Sequence, residues 1–142
     1  MQSQKTDETP QSRTRRLLIV EDDLETRTFL VMALGEIYEI VEAESAAEAL
    51  IEVGRQRIDL FLVDIALRDE IDGVALVQIL RQNGALQKTP MVAMTAHHMR
   101  EDRQFYLDHG FTDFIAKPFY PQDLLNLIAG HLTNHLTSSD TL

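Results

Sequence analysis

The feature that most constrains this chain is the stretch Ile58-Asp59-Leu60-Phe61-Leu62-Val63-Asp64. An unbroken apolar run from Leu60 to Val63 is what a strand covered on both faces looks like. It stops abruptly on a carboxylate. Asp64 therefore sits at the carboxyl end of a buried strand, on the rim where open α/β sheets bind ligands. Taken alone, Asp64 is read equally well as a strand terminator or as a site residue.

The rest of the chain repeats this design. Residues 1 to 14 are polar and charged, with Pro10 among them, and read as a disordered leader. Leu17-Leu18-Ile19-Val20 is a second buried-strand run, ending on Glu21-Asp22-Asp23. Asp23 suits the N-cap of a helix whose apolar stripe is Phe29, Leu30, Ala33, Leu34 and Ile37. A strand follows over Tyr38 to Ala43. Ser45 then caps a helix running to about Arg55, with Glu48 completing a capping box. After Asp64 comes an acidic loop, a helix from about Val74 to Gln82, and the strand Met91 to Met94 ending at Thr95. A polar helix is expected from about Met99 to His109, stopping at Gly110. The fifth strand, Asp113 to Ala116, ends at Lys117-Pro118. The last helix starts near Pro121 and carries Leu124, Leu125, Ile128 and Leu132. The folded domain is thus expected over 15–136, with a disordered tail over 137–142.

Strands alternating with helices imply a parallel sheet with helices on both faces, joined by right-handed crossovers. One such arrangement is the flavodoxin-like, doubly wound, five-stranded α/β sheet of order 2-1-3-4-5. In that order the first and third strands are neighbours at the switch point. One rim then gathers Glu21, Asp22, Asp23, Asp64, Thr95 and Lys117. Carboxylates crowded together repel, and a hard cation with oxygen ligands relieves them, which suits Mg2+. A carboxylate beside a metal and a lysine is a candidate nucleophile towards phosphorus.

Composition narrows the function classes. The formal charge is −10, which argues against direct nucleic-acid binding. There are no cysteines, so disulfides and thiolate metal sites are excluded. No apolar run reaches membrane-spanning length, and the start lacks the apolar core of a signal peptide. A cytoplasmic location, away from the membrane, fits these features.

From about Arg15 to about Leu136 the chain resembles the receiver domain of two-component response regulators, in its single-domain, chemotaxis-regulator-like form. The residues that carry the resemblance are Leu17-Leu18-Ile19-Val20-Glu21-Asp22, Leu62-Val63-Asp64, Asp72-Gly73, Met94-Thr95-Ala96 and Lys117-Pro118-Phe119. The resemblance implies that Asp64 is the phospho-acceptor and that a sensor histidine kinase or histidine phosphotransfer protein is the donor. It implies Mg2+ held by Asp22, Glu21, Asp64 and the carbonyl of Ala66, with Asp22 the more direct ligand of the acid pair. Thr95 and Lys117 would bind the phosphoryl group, and Phe114 matches the switch aromatic. It further implies a cis Lys117-Pro118 bond, and an output face formed by the fourth helix, fifth strand and fifth helix towards a downstream protein not identified by the sequence. The domain would not be an enzyme in its own right, although it assists its own phosphotransfer and dephosphorylation. Two departures stand out: Arg68 occupies the position four past the acceptor where the family usually has Pro, and one extra residue precedes Asp72-Gly73.

Two rival readings remain in play. A phosphohydrolase with Asp64 as nucleophile would want a second acid two residues on, where Ala66 stands. A receiver-like interaction module that never takes phosphate would be expected to lack an acid, the acceptor or the lysine, and none is missing. Ala66 and His97 are expected to border the path of an attacking water. His131 and His135 have a metal-compatible i, i+4 spacing but no acid between them. Leu127 stands where the transcription-factor branch of the family has a basic residue, and is expected to offer an apolar contact to a partner.

Overall fold

The structure, a computed structural model, describes residues 13–96 and 102–140, with the backbone alone over 134–140. The strands are β1 (Arg16–Val20), β2 (Glu39–Ala43), β3 (Leu60–Asp64), β4 (Met91–Ala96) and β5 (Asp113–Lys117). The helices are α1 (Leu24–Leu34), α2 (Ala46–Arg55), α3 (Gly73–Leu80), α4 (Arg103–Asp108) and α5 (Pro121–Asp140), with a short 3-10 turn at Gly84–Leu86. All neighbouring strands pair in parallel, in the flavodoxin-like order β2-β1-β3-β4-β5.

The strand sequences explain the layers. Side chains alternate between faces with period two. Leu18, Val20, Phe61, Val63, Met91 and Ala93 enter one apolar cluster, with Ala46 and Ala49 of α2, Leu76 and Val77 of α3, and Tyr106 of α4. Leu17, Ile19, Leu60, Leu62, Val92 and Met94 enter the other, with Leu30 and Leu34 of α1 and Leu124 and Ile128 of α5. Two helices therefore cover one face and three the other. This is what right-handed crossovers require when the strand order reverses at β1.

Local capping chemistry sets the helix starts. The Asp23 carboxylate accepts from the Thr26 N–H at 2.9 Å and its hydroxyl at 2.6 Å. Ser45 accepts from the Glu48 N–H, and the Glu48 carboxylate returns to the Glu44 N–H, one residue upstream of the usual capping-box partner. Asp72 and Asp102 cap α3 and α4 in the same way. The cap at Asp102 begins α4 at Arg103, later than the sequence suggests; residues 97–101, with His97, His98 and Met99, lie outside the described residues. Gly110 follows α4 with φ +100°, a left-handed turn in which a Cβ would also press on Val77 and Arg81.

Three expectations about packing change. Phe29 and Ile37 are exposed, and the buried stripe of α1 is Arg27, Leu30 and Leu34. The α3 helix ends at Leu80 with Arg81 as its C-cap, and the Arg81 side chain turns inward. Its guanidinium donates to the carbonyls of Gly110 (2.8 Å), Leu86 (2.6 Å) and Thr89 (2.9 Å), tying the α3–β4 connection to the turn after α4. Leu127 is half-buried against its own core, which leaves less of it for a partner.

Candidate functional site

The register of β1 against β3 sets Val20 beside Val63, so the residues that follow both strands meet at one rim. Glu21, Asp22 and Asp64 each bring a carboxylate oxygen within 4.8 Å of the others. Glu21 is 1% exposed and Asp64 6%. Two such carboxylates cannot both stay ionised without compensation.

Lys117, delivered by β5 across β4, supplies much of it. Its Nζ donates to Glu21 Oε1 at 2.8 Å and lies 3.6 Å from Asp64 Oδ2. Burial raises the Glu21 carboxyl, the Lys117 bond lowers it and the charge of Asp64 raises it again; the net result lies above the ordinary glutamate value. Burial alone would lower Lys117, but its bond to Glu21 and the charge of Asp64 outweigh it and hold the ammonium above the ordinary lysine value. The Lys117-Pro118 peptide is cis, as expected.

The remaining oxygens are also engaged. The Ala66 N–H donates to Asp64 Oδ1 at 3.0 Å, which orients the carboxylate and brings the Ala66 peptide to the site. The Arg68 N–H donates to Asp22 Oδ2 at 2.9 Å, with its Nε at 3.4 Å from the same oxygen. Burial opposes ionisation of Asp22, but the Arg68 N–H and guanidinium outweigh it and hold the carboxyl below the ordinary aspartate value. Behind the loop, a Cβ on Gly73 would collide with the Asp64 carbonyl and come within 2.6 Å of the Ile65 Cα. Gly73 therefore lets α3 start directly against the acceptor strand. Three clustered carboxylates form a set of hard oxygen donors that fits Mg2+.

Thr95 is fully buried at the end of β4, its hydroxyl donating to the Ala96 carbonyl at 3.1 Å. Phe114 is half-buried and stacks on Tyr106, with ring centroids 4.9 Å apart and planes at 24°. On the α1 side the rim opens into a cleft of about 680 Å³ lined by Thr26, Phe29, Ala96, Lys117, Pro118 and Phe119.

Two charged residues have no role assigned from sequence, one directly behind the site and one at the far end of β5 from Lys117. Arg27, 8% exposed, donates to the Glu21 carbonyl at 2.8 Å and pairs with Glu42 at 3.0 Å, holding the end of β1 in place. Its signal was present: a cation on the same helical stripe as Leu30 and Leu34. The other is Asp113. His131 Nε2 lies 2.8 Å from Asp113 Oδ2, and Arg103 donates to Asp113 Oδ1 at 2.9 Å. His131 thus has an acidic partner from β5 rather than from its own helix.

Comparison with known proteins agrees with this geometry. Residues 17–129 match the model of the response regulator receiver domain. The chain is 36% identical over 113 residues to an uncharacterized 14.6 kDa protein of Leptolyngbya boryana, covering 79% of this chain and 86% of that one. It is 36% identical over 104 residues to the KDP operon transcriptional regulatory protein KdpE of Escherichia coli, covering 72% of this chain but 44% of the regulator. This chain thus spans less than half the length of that transcriptional regulator. A CheY-like receiver domain protein of Methanospirillum hungatei superposes with a TM-score of 0.79 at 28% identity, over 89% of this chain and 99% of that one. No described helix is long and apolar enough to cross a membrane. With the sheet order, the acidic rim and the lysine opposite it in agreement with a match over most of its length, the chain belongs to the response regulator receiver family.

Proposed function

We propose that Asp64 accepts a phosphoryl group from a histidine kinase or histidine phosphotransfer protein in a Mg2+-dependent reaction, and that the domain works as a cytoplasmic signalling switch. The observation that carries this reading is the buried carboxylate pair, Glu21 and Asp64, bridged by one ammonium. An oxygen of Asp64 attacks phosphorus, the P–N bond to the donor imidazole breaks, and the imidazole takes a proton from solvent. Glu21, Asp22, Asp64 and the Ala66 carbonyl would hold Mg2+, which when bound supplies charge neutralisation on the phosphoryl oxygens. Ala66 N–H keeps the acceptor carboxylate oriented. Lys117 neutralises charge beside Asp64, and Thr95 is available to bond a phosphoryl oxygen. The domain assists this one transfer and the later hydrolysis of the acyl phosphate, in which water takes the phosphoryl group as inorganic phosphate and the Asp64 carboxylate is restored, and is not a turnover enzyme.

The test is exposure to a small phosphodonor, such as acetyl phosphate, with Mg2+ or with a chelator. Wild type is expected to gain one phosphoryl group only with Mg2+, and Asp64→Asn none. Rapid multiple turnover would favour a phosphohydrolase. No uptake by wild type from either a small donor or a kinase would favour an unphosphorylated interaction module.

The output is proposed to leave through α4, β5 and α5 towards a downstream protein. Phosphoryl oxygens attract the Thr95 hydroxyl away from the Ala96 carbonyl. That shift frees space beside Ala96, and Phe114, already stacked on Tyr106, turns further inward to fill it. Burying Phe114 leaves no polar group unsatisfied, since it has no hydroxyl. A beryllofluoride phosphate mimic with Mg2+ is expected to shift NMR signals of Phe114, Tyr106 and α5. Changes confined to the surroundings of Asp64 would exclude this route.

A further inference from the structure

Arg68 is the one cation on the loop between β3 and α3, among Asp69, Glu70 and Asp72. Its side chain is 80% exposed, yet its N–H and Nε both reach Asp22 Oδ2, across 46 residues of sequence. An exposed guanidinium is free to choose water, so its approach to Asp22 reflects the field of three neighbouring carboxylates. The second cation, Lys117, is committed to Glu21 and Asp64. Each member of the acidic cluster therefore has an internal positive partner or donor.

We propose that Arg68 is an internal counter-ion of the metal site, which holds Asp22 in the cation-free form and must release it for a divalent cation to bind. This rests on the functional reading above and deepens it: Arg68 sets the Mg2+ concentration at which the domain becomes ready for phosphoryl transfer. Two components act together. The guanidinium repels an incoming divalent ion, and both bonds draw on the carboxylate that would ligate it. Because the backbone N–H takes part, release involves the loop as well as the side chain. The loop thus has two arrangements, one closed on Asp22 and one open to the ion, and Mg2+ selects the second because it binds there better.

The experiment is Mg2+ titration of wild type, Arg68→Ala, Arg68→Lys and Arg68→Pro, followed by NMR and calorimetry without any phosphodonor. Arg68→Ala is expected to bind Mg2+ about three- to tenfold more tightly, the range between an exposed ion pair and repulsion by a nearby divalent charge. Arg68→Pro, which also loses the N–H, is expected to bind at least as tightly as Arg68→Ala. Arg68→Lys should stay near wild type. In the absence of metal, Asp22→Asn should shift the Arg68 amide proton upfield, a readout independent of ion binding. If wild type binds Mg2+ through Asp22 and Asp64 but Arg68→Ala binds equally or more weakly, the counter-ion role is wrong while the functional reading stands. If neither wild type nor any variant binds Mg2+, both are wrong.

Discussion

Replacing Lys117 with methionine is expected to cost about 3 kcal/mol of folding stability near neutral pH. Breaking a buried ion pair costs about 3–5 kcal/mol, and the lower end applies because the ammonium keeps some contact with water. Methionine matches the length of the lysine stem, so the loss is chiefly electrostatic. It leaves Glu21 and Asp64, 1% and 6% exposed, facing one another without their shared cation. The pH dependence carries the signature. Burial already holds the Glu21 carboxyl above its ordinary value, and losing the lysine raises it further. A folded-state carboxyl above its unfolded value takes up protons on folding, so stability rises as pH falls through the folded value. The deficit of the variant should therefore shrink as pH falls from neutral to a value just above the ordinary glutamate one. Mg2+ should also restore part of it, since a bound cation stabilises the folded form. Urea denaturation at the two ends of this range, with and without Mg2+, measures all three effects. A variant as stable as wild type at the higher pH would show that the carboxylates are compensated by other means.

At the opposite end of the sheet, Asp59→Ala is expected to cost a similar amount, about 3 kcal/mol, or roughly 10 °C in melting temperature. Asp59 precedes β3, and its side chain is 8% exposed. It accepts two bonds from Arg13, at 3.2 and 3.3 Å, and one from the Arg16 N–H at 2.8 Å. Arg15 and Arg57 each stand 3.7 Å away. Without the carboxylate, three guanidinium groups would crowd one another. Arg15 would suffer most, since its Nη2 is already buried without a hydrogen-bond partner. The deficit of this variant also shrinks as pH falls, as for Lys117→Met, but here because wild type loses a stabilising carboxylate rather than because the variant gains a proton. Burial opposes ionisation of Asp59, but Arg13 and the Arg16 N–H outweigh it and depress the carboxyl below its ordinary value. Its contribution is present above the unfolded value and lost as pH falls through the lower, folded one. Asp59→Ala should thus flatten acid unfolding relative to wild type. A double variant, Asp59→Ala with Arg15→Met, is expected to recover part of the loss, and strict additivity of the two changes would refute the coupling.

The features legible in the residues themselves are those governed by near neighbours. Apolar runs of four residues made β1 and β3 visible, because period-two burial on both faces leaves no polar position. Caps at Asp23 and Ser45 follow from helix ends that need side-chain acceptors, and the stop at Gly110 from a turn that needs positive φ. Alternation of strands and helices, with the handedness of crossovers, implied a parallel sheet whose strand ends gather Glu21, Asp22, Asp64, Thr95 and Lys117 onto one rim, while the order β2-β1-β3-β4-β5 rested on likeness to flavodoxin-like sheets and is the order observed.

Only the tertiary structure decided which charge meets which. Lys117 bonds most closely to Glu21, 96 residues away, rather than to the acceptor. Arg68 turns to Asp22, Arg27 to the Glu21 carbonyl, and Asp113 to His131. Asp59, which reads as one more residue of an apolar strand, gathers the arginines below the sheet. The reason is physical. Apolar burial is non-directional and tolerates small displacements, so a pattern of residue types suffices to specify it. An ion pair depends on separation to within an ångström and on how much water each partner has lost. Both quantities are set by strand register and loop path, which bring together residues that have no relation along the chain.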